Sequence, residues 1–219
     1  VELAGTQTVL NIADSLYVID GTFNDGGQTV NLSGNVFNSG THVGTGTLVF
    51  AGDNTHYIDG NGAFENIELT RTTVGNDVVF LENNIRVNGS LTFSGAAGVN
   101  KLIDLQRFNL ALAEDATVAG ADANRYVVVD GEIGGGSITK TYSAASTTFT
   151  FPLGVTNYTP GTISLSAAPT TFGDITVSIG AFEHPTVTTN GQNLTYFWRV
   201  RESGFSRNSC GFCYAFLHL

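Results

Sequence analysis

Three segments of the chain end alike: LYVIDG at 16–21, HYIDG at 56–60 and YVVVDG at 126–131. Three others carry a short strand followed by Ser-Gly or Ala-Gly: VNLSG at 30–34, LVFAG at 48–52 and LTFSG at 91–95. Asp20 and Asp59 are 39 positions apart, about two periods of ~20, and Asp59 and Asp130 are 71 apart, about three of ~24. Self-similarity in that range marks architectures built by stacking one supersecondary unit on the next. The stretch GTGTLVFAGDNTHYIDGNGAFENIEL, 44–69, fits three strands and two Gly/Asn turns into one such interval.

A β-solenoid accounts for this pattern. Each coil lays down two or three short strands, turned by Gly, Asn and Asp, the residues that tolerate positive φ. Leu48, Phe50, Ile58, Phe64, Ile67 and Leu69 are the expected inward positions, stacking on their counterparts in the next coil. Strands of neighbouring coils pair at about 4.8 Å, so six coils make a rod roughly 30 Å long. A β-sandwich also suits short strands separated by turns and is the competing architecture. The solenoid reading is preferred for 1–131.

The composition agrees. Only 13% of the 219 residues are charged and 27 are Gly, and no extended run places apolar residues at helical spacing. Gly, Asn and Thr are poor helix formers, and Thr suits a pleated surface. The class is all-β: a parallel β-helix or β-solenoid over 1–131, a Gly-rich junction (EIGGGS) at 132–137, and a β-sandwich-like module at 138–206. All four prolines lie beyond residue 150, and ITVSI and LTYFWRVRESG alternate as hairpin strands do. The module is expected to cover the open end of the solenoid. Residues 207–219, RNSCGFCYAFLHL, fit neither pattern and form an atypical tail.

Charge narrows the function. Residues 1–70 hold no Lys or Arg but eight carboxylates: Glu2, Asp14, Asp20, Asp25, Asp53, Asp59, Glu65 and Glu68. Nucleic-acid binding needs cations to replace counterions along the phosphates, so neither nucleic acid nor an anionic membrane surface is an expected partner. No apolar run approaches the length of a membrane span. The acidic turns offer oxygens that Ca²⁺ could use, although a solvated acidic surface is the simpler reading. No other cofactor is expected. There is no Met, and the opening VELAG already has the texture of a strand with no signal-peptide pattern. The chain is expected to be an interior piece of a larger parent.

The texture of 44–69 resembles repeats of large secreted surface proteins of the Bacteroidetes. There a Gly-Thr-rich strand precedes an I-x-G turn and an F-x-N-I/L-x-L/I strand, here Phe64 to Leu69. FTFPLG (149–154), YTPGTISL (158–165) and YFWRVRESGF (196–205) are similar to the segment that commonly follows such repeats. The resemblance implies an adhesin-like protein at the cell surface, exported through a C-terminal sorting domain that is not visible in this chain. It supplies no catalytic residues to carry over.

The enzymatic alternative is a polysaccharide lyase or hydrolase, or a binding module detached from one. Hydrolysis needs two carboxylates about 5–9 Å apart across a sugar bond, and stacked turns of Asp20, Asp59 and Asp130 would form an acidic ladder. Asp before Gly is, more simply, a turn pair. A lyase needs a base beside a neutralised uronate, and Arg71, Arg86, Lys101, Arg107 and Arg125 show no paired spacing. His42, His56, His184 and His218 are scattered without zinc spacing. Cys210 and Cys213 have redox spacing without the surrounding βαβ unit, which makes a local disulfide the simpler reading. GTGT and LTRTT are too few for an ice-binding Thr array. Tyr57, Tyr126, Tyr142, Tyr158 and Trp198 are the aromatics that could stack on sugar rings, and Tyr196 and Trp198 share one face, expected to be core.

The expected function is therefore non-catalytic: an extracellular structural or adhesive segment that binds polysaccharide or a cell-surface glycan through many weak contacts. No catalytic, cofactor or metal residue is assigned, and the binding residues are left open. A stalk with no ligand of its own is the third possibility.

Overall fold

A computed structural model describes residues 8–51, 54–71, 78–132, 134–165, 168–183, 195–206 and the backbone of 215–218. Among these there are 22 strands and no helix. The first coil consists of β1 (Val9–Ile12), β2 (Leu16–Val18) and β3 (Thr22–Asn24). β4 (Thr29–Leu32), β5 (Val36–Asn38) and β6 (Thr41–Val43) form the second and pair in parallel with β1, β2 and β3 in turn. This is a three-faced β-solenoid of about six turns, as the repeats require.

The third coil begins with β7 (Thr47–Phe50) and β8 (His56–Asp59). Its last side merges into the next coil: β9 (Ala63–Arg71) pairs with β6 through Ala63 and with β7 through Ile67 to Leu69. β10 (Val78–Leu81) follows on the second face. β11 (Ile85–Gly95) again rounds a corner, pairing with β13 (Asn109–Leu112) through its first residues and with β14 (Thr117–Ala119) through its later ones. β12 (Lys101–Asp104) and β15 (Arg125–Val128) extend the second face, giving one continuous parallel order β2-β5-β8-β10-β12-β15.

The coils lengthen along the chain. Val30 pairs with Leu48, 18 residues on, whereas Leu91 pairs with Val118, 27 residues on. Part of the drift is local: β11 slips against β9 between Val87 and Ser90, inserting one extra residue. That lengthening is why the sequence repeat changes from about 20 to about 24 and blurs.

Alternation sets the core. Leu16, Val36, Ile58 and Leu81 align across four coils of the second face, and the last two are fully buried. Leu48, Phe50, Ile58, Phe64, Ile67 and Leu69 are all buried, as expected of inward positions. Pairing the backbone between coils satisfies its amides without helices, while Asn, Ser and Asp side chains stitch the corners. Asn31 donates to Asn11 one coil back (2.8 Å), Asn66 donates to the Gly46 carbonyl (2.8 Å) and Ser90 donates to Asn66 (2.9 Å). The abundance of these residues reflects this stitching.

Beyond the Gly-rich junction the chain stays joined to the solenoid. β16 (Ser137–Thr141) pairs in parallel with β13, and β18 (Leu153–Gly154) pairs in parallel with β15. β20 (Asp174–Gly180) then runs antiparallel to β16, and β21 (Phe197–Ser203) antiparallel to β20. β17 (Thr148–Phe151), β19 (Gly161–Leu165) and β22 (Ala215–His218) form a small antiparallel sheet. The alternating segments are thus hairpin-type strands that cover the last coil. Four of them add to the solenoid's own sheets, and among the described residues no separate two-sheet sandwich stands apart at 138–206. The atypical tail supplies β22; residues 207–214 and 219 lie outside the described residues.

Candidate functional site

The outward positions of the second face hold a row of aromatic rings. Tyr17 aligns with Phe37 on the next coil, and Tyr57 aligns with Phe80 one coil further on. Phe37 itself faces Asp59, so the row steps sideways by two residues between the second and third coils. The Tyr17 and Phe37 ring centroids are 6.4 Å apart with 29° between planes, and those of Tyr57 and Phe80 are 5.7 Å apart at 24°. Rings at these separations overlap only in part. Tyr17 is 68% exposed and Tyr57 41%, while Phe37 and Phe80 are half-buried.

A shallow groove of about 310 Å³ runs along the first three rings of this row, lined by Tyr17, Phe37, Tyr57, Asp59 and Glu82 together with Ser15 and Asn35, and Phe80 stands at its end against Tyr57. Ser15 Oγ accepts the Asn35 amide (3.1 Å), and Asn35 Oδ1 accepts the Tyr57 amide (3.0 Å), so the groove's polar wall is tied coil to coil. The Glu82 amide donates to the Ile58 carbonyl (2.8 Å), which sets Glu82 beside Asp59 on the following coil. Aromatic faces, two carboxylates and amide or hydroxyl groups together suit a ligand with alternating C–H and O–H surfaces.

Of the aromatics named from sequence, only Tyr57 lies in this row. Tyr126 and Tyr142 are buried, and burial pushes both phenols above their ordinary range. Tyr142 donates to the Ile163 carbonyl (3.2 Å). Tyr158 is half-buried with its ring 5.8 Å from Tyr126. Trp198 donates its indole N–H to the Thr159 carbonyl (3.2 Å) and meets Tyr196 edge-on at 5.3 Å; both pack against the core. Tyr17, Phe37 and Phe80 were not singled out, although a signal was present: rings at 17, 37 and 57 recur every 20 residues, each on the polar phase of its strand.

The Asp-Gly turns are local devices. Asp20 Oδ1 accepts the Gly21 amide (2.7 Å), Asp59 Oδ1 the Gly60 amide (2.6 Å) and Asp130 Oδ1 the Glu132 amide (3.0 Å). They do not form the ladder of three that the enzymatic alternative would use. Through Phe37, Asp59 aligns with Tyr17, three residues before Asp20. Asp130 does share the place of Asp59, lying two residues past Val128, the counterpart of Tyr57 through Phe80 and Asp104. Burial, with Asp130 nearby, holds the Asp104 carboxyl above the usual range despite the Gln106 amide bonded to it.

The cations are occupied elsewhere. Lys101 is buried and donates to the Ala96 carbonyl (3.0 Å). Arg86 bonds Asn88, Arg107 lies over the Phe108 ring and Arg125 pairs with Asp122. His42 and His56 are both buried. His42 bonds Asp25, and His56 Nδ1 donates to the Gly34 carbonyl (2.7 Å). Cys210, Cys213, His184 and the side chains of Arg71 and His218 lie outside the described residues. Among the described residues no group of three or more His, Cys, Asp or Glu is placed to hold a metal, and no helix is long and apolar enough to cross a membrane. Comparison of the chain with protein-family models, with curated proteins and with solved structures returns no match.

Proposed function

We propose that this chain is a non-catalytic extracellular segment of a bacterial surface protein, a rod that presents or binds glycans. The observation that carries the reading is the partly solvent-exposed row Tyr17, Phe37, Tyr57 and Phe80 beside Asp59 and Glu82. Large rings are ordinarily placed where they lose water. Four aligned on an outer face, walled by polar groups, match what a sugar surface requires. The sequence texture shared with secreted repeat proteins supports the extracellular setting. Affinity per site would be low, and display along a rod would multiply it.

A hydrolase is the second reading, favoured by Asp59 and Glu82 standing on adjacent coils. Strand spacing of about 4.8 Å is compatible with the closer carboxylate pair of retaining enzymes. Against it, Glu82 is exposed and Asp59 uses one oxygen on the Gly60 amide. A general acid is normally held protonated by burial or by a close like charge.

One experiment separates the readings. A polysaccharide panel is assayed for retention and for new reducing or unsaturated ends, with and without Ca²⁺. Retention without new ends supports the proposal, new ends abolished by Asp59→Asn or Glu82→Gln support the hydrolase, and neither result leaves a stalk.

A further inference from the structure

The chemistry of the groove also selects the kind of glycan, an inference that rests on the glycan-binding reading. We infer that the face takes an extended, uncharged hexose polymer lying along the solenoid axis, about one sugar ring per coil, and excludes uronic and sulfated chains.

Direction follows from the row. Tyr17 and Phe37 are register partners on successive coils, as are Tyr57 and Phe80. Each coil therefore adds one ring along an axis that rises about 4.8 Å per coil, the partner rings standing 6.4 and 5.7 Å apart. A pyranose linked through opposite corners advances by close to that distance, so an extended chain keeps step with the rings. A chain running across the coils would meet only one. The sidestep of two residues between Phe37 and Tyr57 turns the path obliquely, away from Asp59 and Glu82, which continue the straight line of Tyr17 and Phe37 along the axis.

Charge supplies the second half. Asp59 and Glu82 line the groove and, among the described residues, no cation does. The chain holds no Lys or Arg before Arg71, so the coils that carry Tyr17, Phe37 and Tyr57 provide none either; past Glu82, Arg86 bonds Asn88 and Arg107 lies over the Phe108 ring. A carboxylate on the ligand would face like charge across a short gap, while a hydroxyl can donate to it. The aromatic surface gains from the C–H face of a sugar whatever its hydroxyl pattern, which makes charge and chain direction, and not monosaccharide identity, the discriminating properties.

The test is calorimetric titration of the intact chain with β-1,4-glucan oligomers of two to six units, with oligogalacturonates of the same lengths as the charged comparison. Affinity should rise with length until about four rings are engaged and then level. Tyr17→Ala and Phe80→Ala, at opposite ends of the row, should each lower affinity for the longer oligomers roughly five- to tenfold. The disaccharide should lose affinity with only one of them. The galacturonates should not bind in low salt and should gain affinity with Asp59→Asn/Glu82→Gln. Equal affinity for two and six units, or galacturonate binding as tight as glucan binding, overturns the inference while leaving glycan binding intact. Glucan affinity unchanged in both ring variants removes the groove itself, and no binding by any oligomer overturns the inference together with the reading beneath it. Circular dichroism of the two exposed-ring variants separates lost binding from lost fold.

Discussion

His42 Nε2 lies 2.9 Å from Asp25 Oδ2, although the two residues belong to successive coils and both are almost completely buried. The other Asp25 oxygen accepts the amides of Gly27 (2.7 Å) and Gly46 (3.0 Å), and His42 Nδ1 accepts the Glu65 amide (3.3 Å). That last bond fixes the tautomer: Nδ1 is bare, so the proton is on Nε2 and donates to Asp25. One carboxylate and one imidazole thereby tie three consecutive coils together at a corner where the backbone alone leaves amides unpaired. Asp25→Ala should strip the buried Gly46 amide, the partly buried Gly27 amide and the imidazole of their acceptor, for a loss of about 3 kcal/mol. Urea unfolding of the variant reads it, and a change below about 1 kcal/mol would show that the corner relaxes.

The same pair gives stability a pH dependence. Burial pulls the His42 pKa below its ordinary value, outweighing the opposing pull of Asp25 and Glu65. The unfolded chain then binds a proton near pH 6.5 where the folded chain does not. Stability from this group is complete above about pH 6.5 and declines as pH falls from there through the lower folded pKa. Melting temperature should drop between pH 7 and pH 5, and His42→Gln should flatten that part of the profile while lowering the plateau. An unaltered slope in the variant would assign the drop to other groups.

Lys140 holds the other end of the solenoid. Its Nζ is buried and reaches three carbonyls of one turn, Ala113 (2.5 Å), Glu114 (2.7 Å) and Ala116 (3.0 Å), with the Phe149 ring 5.4 Å away. Burial lowers its pKa, a cost the three charge-assisted bonds offset. Lys140→Met keeps the stem and takes the ammonium donor from three carbonyls, of which Ala113 keeps the Ala116 amide (3.1 Å), so a loss of about 3 kcal/mol is expected in chemical unfolding. Lys140→Arg should not rescue it, because a planar fork cannot converge on three carbonyls of one turn.

Much of the architecture could be read from sequence because its cause is periodic. Leu48, Ile58 and Ile67 recur on the inward phase of short strands, and Gly, Asn and Asp sit where chains must turn. The register between coils could not be read. It depends on how many residues each corner absorbs, and the extra residue between Val87 and Ser90 has no signature beyond Asn-Gly. Hence Asp20 and Asp59, equivalent turn positions two coils apart by their spacing, stand three residues out of register. Lys140 and Lys101 illustrate a second difficulty: a lysine on the inward phase looks like a surface residue until the carbonyls that satisfy it are in view. The aromatic row is hard to read because its members adjoin apolar core residues, Tyr17 between Leu16 and Val18 and Phe80 between Val79 and Leu81, so that outward ring and inward core merge into one apolar run. Among the aromatics, Tyr126 and Tyr142 have the same texture as Tyr57 but lie on the other side of the backbone.

Corner geometry offers the sharpest test of coil-to-coil contact. Gly60 has φ +82°, and a Cβ there would stand 2.2 Å from the carbonyl oxygen of Asn38 on the preceding coil. That oxygen already accepts the Gly62 amide (2.8 Å), so a methyl group must displace either the bond or the backbone. Gly98 has a similar φ of +72° but open space where its Cβ would be. Both substitutions to Ala incur the left-handed penalty of about 1–2 kcal/mol, and only Gly60→Ala adds overpacking, a further 1–3 kcal/mol or so. Gly60→Ala should therefore unfold at clearly lower denaturant than Gly98→Ala. Equal midpoints would mean that adjacent coils can slide apart at this corner without cost, contrary to a core in which Ile58 and its neighbours are closed off from water.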